Sequence, residues 1–250
     1  MKIKIGLAFV AVYLVSLLLT TPAGMATRFI PDSAGIQIGH TSGTVWNGKL
    51  SQVDYRDQFQ LQKLTWKFDW LALLTLKAQA DVKFDNGRKV LAGSGAVAYG
   101  LSGVALSDVN VELNATALLP YLKLPVPVTP SGKLSLVIEN ASQGAPYCDE
   151  LDGYLVWHDA KVKTPMGNID FATPSMDLSC SEGGLVASLK QHSEQLTTNA
   201  NMLLTEGGSY QLQGNIIGSD KLDPSMLQAL SWLGPKNESG ATALNFKGRL

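Results

Sequence analysis

Beyond residue 31 the chain alternates apolar and polar positions with a period of two. Leu64, Trp66, Phe68 and Trp70 are separated by Thr65, Lys67 and Asp69. A longer run sets Leu74, Leu76, Ala78, Ala80, Val82 and Phe84 against Thr75, Lys77, Gln79, Asp81 and Lys83. Only a strand turns successive side chains to opposite faces, so the spacing predicts strands through both runs. Shorter runs over residues 109–113, 134–138, 185–189, 210–212 and 244–246 carry the pattern almost to the last residue. Turn dipeptides divide them: Asn47-Gly48, Asn86-Gly87, Ser131-Gly132, Gly167-Asn168, Gly183-Gly184 and Gly207-Gly208. Asn86-Gly87, between two alternating runs, is the strongest hairpin signal. Strands with one polar face belong to antiparallel sheets, and the wide turn spacing implies long strands. The expected fold is all-β: a curved, elongated antiparallel sheet with one or two short helices.

Two stretches break the alternation. Asp223-Pro224 reads as an N-cap with proline at the first helical position, followed by Met226, Leu227, Leu230 and Leu233 on one stripe and stopped by Gly234-Pro235. A weaker copy begins at Asn114 and carries Leu118, Leu119 and Leu122. Each follows an alternating strand, which suggests two similar halves, about 36–124 and 131–250. The proline-rich residues 125–130 fit either a boundary between halves or an edge loop of one domain.

The beginning of the chain is different. Lys2 and Lys4 precede a stretch, residues 5–27, with no charge until Arg28. As a helix it would measure roughly 35 Å, enough for a hydrocarbon core, although its strongly apolar part is residues 5–19 and Pro22 should end the helix. A cleavable signal peptide with a small-residue site at Gly24-Met25-Ala26 and a retained single-pass transmembrane anchor both fit. Both orient the chain the same way, with the lysines inside and the bulk outside. The expected organisation is a cytoplasmic start at 1–4, a span at 5–26 and an exported β domain at 27–250.

Composition narrows the function. Charged residues are 16% of the chain and the net charge is −1, so there is no electrostatic footprint for nucleic acid. The two cysteines, Cys148 and Cys180, would pair in an oxidising compartment; two unrelated buried thiols are the plainer alternative. With two cysteines and three histidines a closed all-thiolate zinc site is impossible, any metal site would need carboxylates or nearly every histidine, and no metal or cofactor site is expected. Ser94, in Ala92-Gly93-Ser94-Gly95, lacks the first glycine of a nucleophile elbow and reads as a β bend. His40 reads as a solvated loop residue. His158 falls on a mainly apolar strand face, with Asp159 turned to the other face if the strand is regular. His192 and Glu194 read as exposed polar residues, and Asp149, Glu150 and Asp152 as an acidic loop lacking the calcium-loop glycine. The tryptophans, mostly within alternating strands, read as core fillers. No catalytic residues are expected, and the chain is not read as an enzyme.

Three local patterns taken together resemble the protein N family of the bacterial type II secretion system. They are Gly43-Thr44-Val45-Trp46-Asn47-Gly48; the segment 64–76; and a distal series of Pro146-Tyr147-Cys148, Leu151-Asp152-Gly153, Trp157, Pro165-Met166-Gly167, Leu178-Ser179-Cys180 and residues 207–214. The resemblance covers essentially the whole chain, and the segment 64–76 is also similar to the AsmA-like superfamily of curved sheets. It implies an inner-membrane protein with a minute cytoplasmic start, an uncleaved anchor and a periplasmic β domain that supports export of folded proteins across the outer membrane. It implies contact with other inner-membrane platform proteins, places the family's paired cysteines at Cys148 and Cys180, and supplies no catalytic residues. The competing expectation is a periplasmic lipid-handling protein with an apolar groove on a curled sheet.

Overall fold

The computed structural model describes residues 2–27, 35–55, 59–87, 90–121, 127–237 and 240–249. Fifteen strands form one antiparallel sheet: β1 (Ile36–Ile38), β2 (Thr41–Gly43), β3 (Asn47–Tyr55), β4 (Phe59–Asp69), β5 (Ala78–Asp85), β6 (Leu91–Gly100), β7 (Gly103–Asn114), β8 (Thr129–Gln143), β9 (Cys148–Thr164), β10 (Gly167–Ala172), β11 (Ser175–Ser181), β12 (Gly184–His192), β13 (Leu196–Thr205), β14 (Ser209–Gly218) and β15 (Thr242–Arg249). The spatial order follows the chain almost throughout; β2 also pairs with β3, and β10 extends beside β11 on β9. Such a meander needs only hairpin connections, as the period-two runs and their turn dipeptides imply. Across the main path the sheet spans roughly 58 Å at the usual strand spacing of about 4.8 Å.

The helical elements are α1 (Lys2–Leu19), α2 (Ala23–Thr27) and α3 (Pro224–Leu233), with 3₁₀ turns at Leu71–Thr75, Ala115–Tyr121 and Glu206–Gly208. This is more helix than expected, in short pieces. Pro22 does separate α1 from α2. Among the described residues no helix is long and apolar enough to cross a membrane. The 18 residues of α1 would rise about 27 Å, slightly under a typical hydrocarbon core, and two of them are lysines.

Several sequence expectations need correcting. The alternation through Leu74 and Leu76 is not a strand: Trp70 enters a 3₁₀ turn, Leu76 is left-handed (φ 57°), and β5 begins only at Ala78. The four consecutive apolar residues Leu71 to Leu74 suit a tight turn as well as a strand, and period two cannot separate them over so short a run. Ser131-Gly132 is not a hairpin but lies within β8 opposite a bulge in β9: Ser131 pairs with Lys161 and Lys133 with His158, so Gly132 alone faces Asp159 and Ala160. Gly132 has φ 101°, and a Cβ there would strike the carbonyl oxygens of His158 and Asp159. The acidic residues Asp149, Glu150 and Asp152 lie in β9, paired with β8, rather than in a loop.

A single layer buries little. Beneath α3, Leu196, Leu222 and Met226 form the compact cluster, joined by Ile169, Phe171, Ile216, Leu227 and Leu230. Asp223 caps α3 as its position predicts, accepting a hydrogen bond from the Ser225 amide at 2.9 Å, with Pro224 at the first helical position. Elsewhere single residues such as Leu50, Leu134 and Ala160 are buried, but many inward side chains are only half-buried, which the chain's low charge and small polar residues tolerate.

Candidate anchoring and interaction site

One end of the sheet gathers most of the features that chemistry singles out. The register pairs Asp69 with Gln79, Ala78 with Tyr99 and Gly100 with Gly103, so the β4–β5 and β6–β7 connections share that end. The last turn of α1 docks there. The Trp46 indole N–H donates to the Leu18 carbonyl at 2.8 Å, the Val45 amide donates to the Thr21 carbonyl at 3.0 Å, and Pro22 bridges to Thr44. Trp46 in turn packs against Trp70 and Phe68, with ring centroids 4.2 and 5.1 Å away. Trp66 lies across Gly48, where any Cβ would collide with the indole, and donates to the Val45 carbonyl at 2.7 Å. Along the rest of α1 the described side chains are bare: Phe9 is 73% exposed, and Val10, Val12, Tyr13 and Leu14 are exposed with it.

The disulfide occupies the same end of the sheet. Cys148 and Cys180 are joined with S–S 2.10 Å and Cα–Cα 6.1 Å, linking the start of β9 to the end of β11. Around it, the Tyr147 amide donates to the Gly183 carbonyl at 3.1 Å and the Gly208 amide donates to the Tyr147 hydroxyl at 2.9 Å. Tyr147, held over the β11–β12 turn by Gly183, thus reaches the β13–β14 turn and ties three connections together beside the disulfide.

The residues weighed for catalysis are scattered. Ser94 on β6 and His158 on β9 are three strand spacings apart, roughly 14 Å. His40 is exposed in the turn before β2. His192 shares a hydrogen bond with Thr197 Oγ1 at 2.9 Å, whereas Glu194 pairs with Lys221 at 2.8 Å. The bulge opposite Gly132 overturns one expectation: Asp159 has φ 51°, and both His158 and Asp159 line an open cavity of about 610 Å³ with Glu112 and Lys133. Strict alternation would have put them on opposite faces; a bulge adds a residue and re-aims the side chain. Among the described residues no cluster of three or more histidine, cysteine or carboxylate side chains is placed to hold a metal ion.

Charges are arranged as exposed pairs. The Ala172 amide, then Lys161, holds Asp170 below the usual carboxylate range against a small desolvation cost. Glu194 and Lys221 stabilise each other's charged forms, lowering the acid and raising the base. The Ser225 hydroxyl, followed by its amide, lowers Asp223.

A model of the family described as type II secretion system protein N matches residues 34–245. The chain belongs to the type II secretion system protein N family. Curated members align end to end with it: proteins named type II secretion system protein N from Aeromonas hydrophila (32% identical; 100% of this chain and 99% of the relative), Vibrio cholerae (30%; 98% and 97%) and Pectobacterium carotovorum (30%; 100% and 100%). No solved structure gives a significant match. The chain is thus a type II secretion component, as its local patterns implied.

Two features of this protein N family member differ from what its sequence implies. Trp46 clasps α1 rather than only filling a core, although the Gly43–Gly48 pattern contains both the turn and Trp46. The leucines after Trp70 form an exposed turn rather than a strand, and their clustering without polar partners is the signal for it.

Proposed function

We propose that this protein is an envelope component of type II secretion that acts by binding rather than catalysis: α1 anchors it in the inner membrane, and the sheet presents its edges to platform partners outside the cytoplasm. The observation that carries the reading is an apolar helix, its described side chains bare, that docks on the sheet through its last turn. A free α1 would be costly in water, while two lysines in its first turn and no charge after them until Arg28 favour retention of the start in the cytoplasm. The oxidising compartment that this topology reaches suits the Cys148–Cys180 disulfide.

The edges differ in their fitness for partners. The β1/β2 side consists of two three-residue strands, too short to template much pairing. The β15 side offers more: Thr242 and Ala243 are covered by Lys236 and Pro235, but the stretch beyond them to Arg249 is exposed over its last five residues. Strand addition at β15 is therefore the proposed mode of docking. A deletion strain tests the role: exported proteins should accumulate in the periplasm and recover their export when the gene is restored. Unchanged export would overturn the proposal.

One observation favours a second reading, lipid handling. An almost wholly apolar cavity of about 320 Å³ lies between α3 and the sheet, lined by Phe171, Leu196, Ile216, Met226 and Trp232 among others. Native mass spectrometry of the full chain, released from a detergent that strips bulk lipid, should then show a bound acyl species; a mass equal to the polypeptide alone would dismiss it.

A further inference from the structure

The end of the sheet that grips α1 carries an apolar surface that the anchor alone does not explain. Trp70, stacked on Trp46, opens directly into the 3₁₀ turn Leu71–Thr75. Leu71, Leu74 and Leu76 are 74%, 84% and 74% exposed. On the neighbouring hairpin Leu101 is 94% exposed and Tyr99 65%. Leu73, Leu76, Tyr99 and Leu101 border one shallow hollow, so the two loops form a single patch. Leucines this bare have no place in an aqueous surface loop, where turn chemistry calls for small and polar residues.

We infer that this patch seats in the outer-facing leaflet of the same bilayer that α1 enters, resting the β4–β5 and β6–β7 loops in the membrane interface. Three features select lipid over a protein partner. The patch is continuous with α1 through Trp46 and Trp70, so a helix in the bilayer carries the leucines to the membrane surface. Its chemistry is graded as interfaces require, with leucines at the tips and Trp70, Tyr99 and the Trp46 ring behind them, the positions where amphipathic rings settle at headgroup level. Residues 93–107 contain no charge, and the charges bounding the β4–β5 loop are Asp69, turned back to accept from the Leu71 amide at 2.9 Å, and Lys77, an ammonium at the right level for a lipid phosphate. The consequence is orientation. A helix tether alone leaves the sheet free to swing; two additional contacts fix its long axis relative to the membrane and hold the β8–β9 turn and the disulfide near the surface.

This inference rests on the anchoring reading, and one experiment separates the two. The native cysteines are paired with each other, so a single introduced thiol in the full chain can be labelled. An environment-sensitive fluorophore is attached to Val12→Cys, Leu74→Cys, Leu101→Cys or Lys163→Cys, the last at the opposite end of β9, and each protein is reconstituted in phosphatidylethanolamine–phosphatidylglycerol vesicles. Nitroxide-labelled lipid should quench the label at 12, 74 and 101 and leave 163 untouched, with emission at 74 and 101 blue-shifted relative to 163. Quenching at 12 with water-like emission at 74 and 101 would overturn the membrane seat and leave the anchor standing. Blue-shifted emission at 74 and 101 that nitroxide lipid does not quench would also overturn it, because the patch is then covered by protein, a second copy included. Absence of quenching at 12 would overturn the anchor, and the seat with it.

Discussion

At the scale of single residues, Trp46 is the clearest link between sequence and architecture. Its indole joins the helix carbonyl of Leu18 to an aromatic stack on the sheet. Trp46→Phe keeps a ring in the stack and loses the hydrogen bond, and should cost about 1 kcal/mol; Trp46→Ala loses both and should cost about 2–3 kcal/mol for a half-buried ring. Amide exchange at Val45, whose N–H donates to Thr21, reads the effect locally: it should accelerate modestly in the first variant and strongly in the second. The cysteines give a second residue-level prediction. They close a loop 32 residues apart, and in the chain-entropy picture the link stabilises by roughly 3–4 kcal/mol. Denaturant midpoints of the Cys148→Ser, Cys180→Ser double variant should fall accordingly and become indifferent to reductant. What was legible at this scale was residue type and order; what was not was the direction of side chains after a bulge. His158 and Asp159 border one cavity because β9 bulges opposite Gly132, with Asp159 left-handed, and nothing in a period-two pattern announces it.

At the scale of elements, hairpins and the α3 helix were readable because turn and capping chemistry is local. Asn86-Gly87 does separate β5 from β6, and Asp223 does cap α3. The 3₁₀ turn at Leu71–Thr75 was unreadable because an apolar run of that length satisfies strand and turn templates alike. The cap makes a pH prediction. The Ser225 hydroxyl and amide favour ionised Asp223, so its carboxyl titrates lower in the folded protein than in the unfolded chain. Its contribution is complete above the ordinary aspartate range and is lost as pH falls through that range to the lowered folded value. Protection factors of the α3 amides, which correct for the intrinsic slowing of exchange in acid, should therefore fall on acidification of the native protein, while Asp223→Asn, which caps without a charge, should flatten that dependence. Edge pairing is also an element-scale claim. Proline at Asn245 or Lys247 in β15 should reduce recovery of platform partners in pull-downs without loosening β9–β12; undiminished recovery counts against strand addition.

At the scale of the molecule, a sequential meander behaves as a nearly one-dimensional array, with each strand supported by its two neighbours. The longest strands, β7, β8 and β9, have 12, 15 and 17 residues and lie mid-array. Hydrogen-exchange protection should peak there and decline toward β1 and β15, rather than unfold as one block. Family membership, full-length alignment and the bare α1 together support a tethered, non-catalytic secretion component. The most direct measurement of that central claim is the fate of the full-length chain in fractionated cells. It should stay with the inner membrane through alkaline carbonate washing, and protease added to spheroplasts should digest the sheet. Release of the intact chain into a soluble fraction, or a sheet shielded from external protease until the inner membrane is breached, would contradict it.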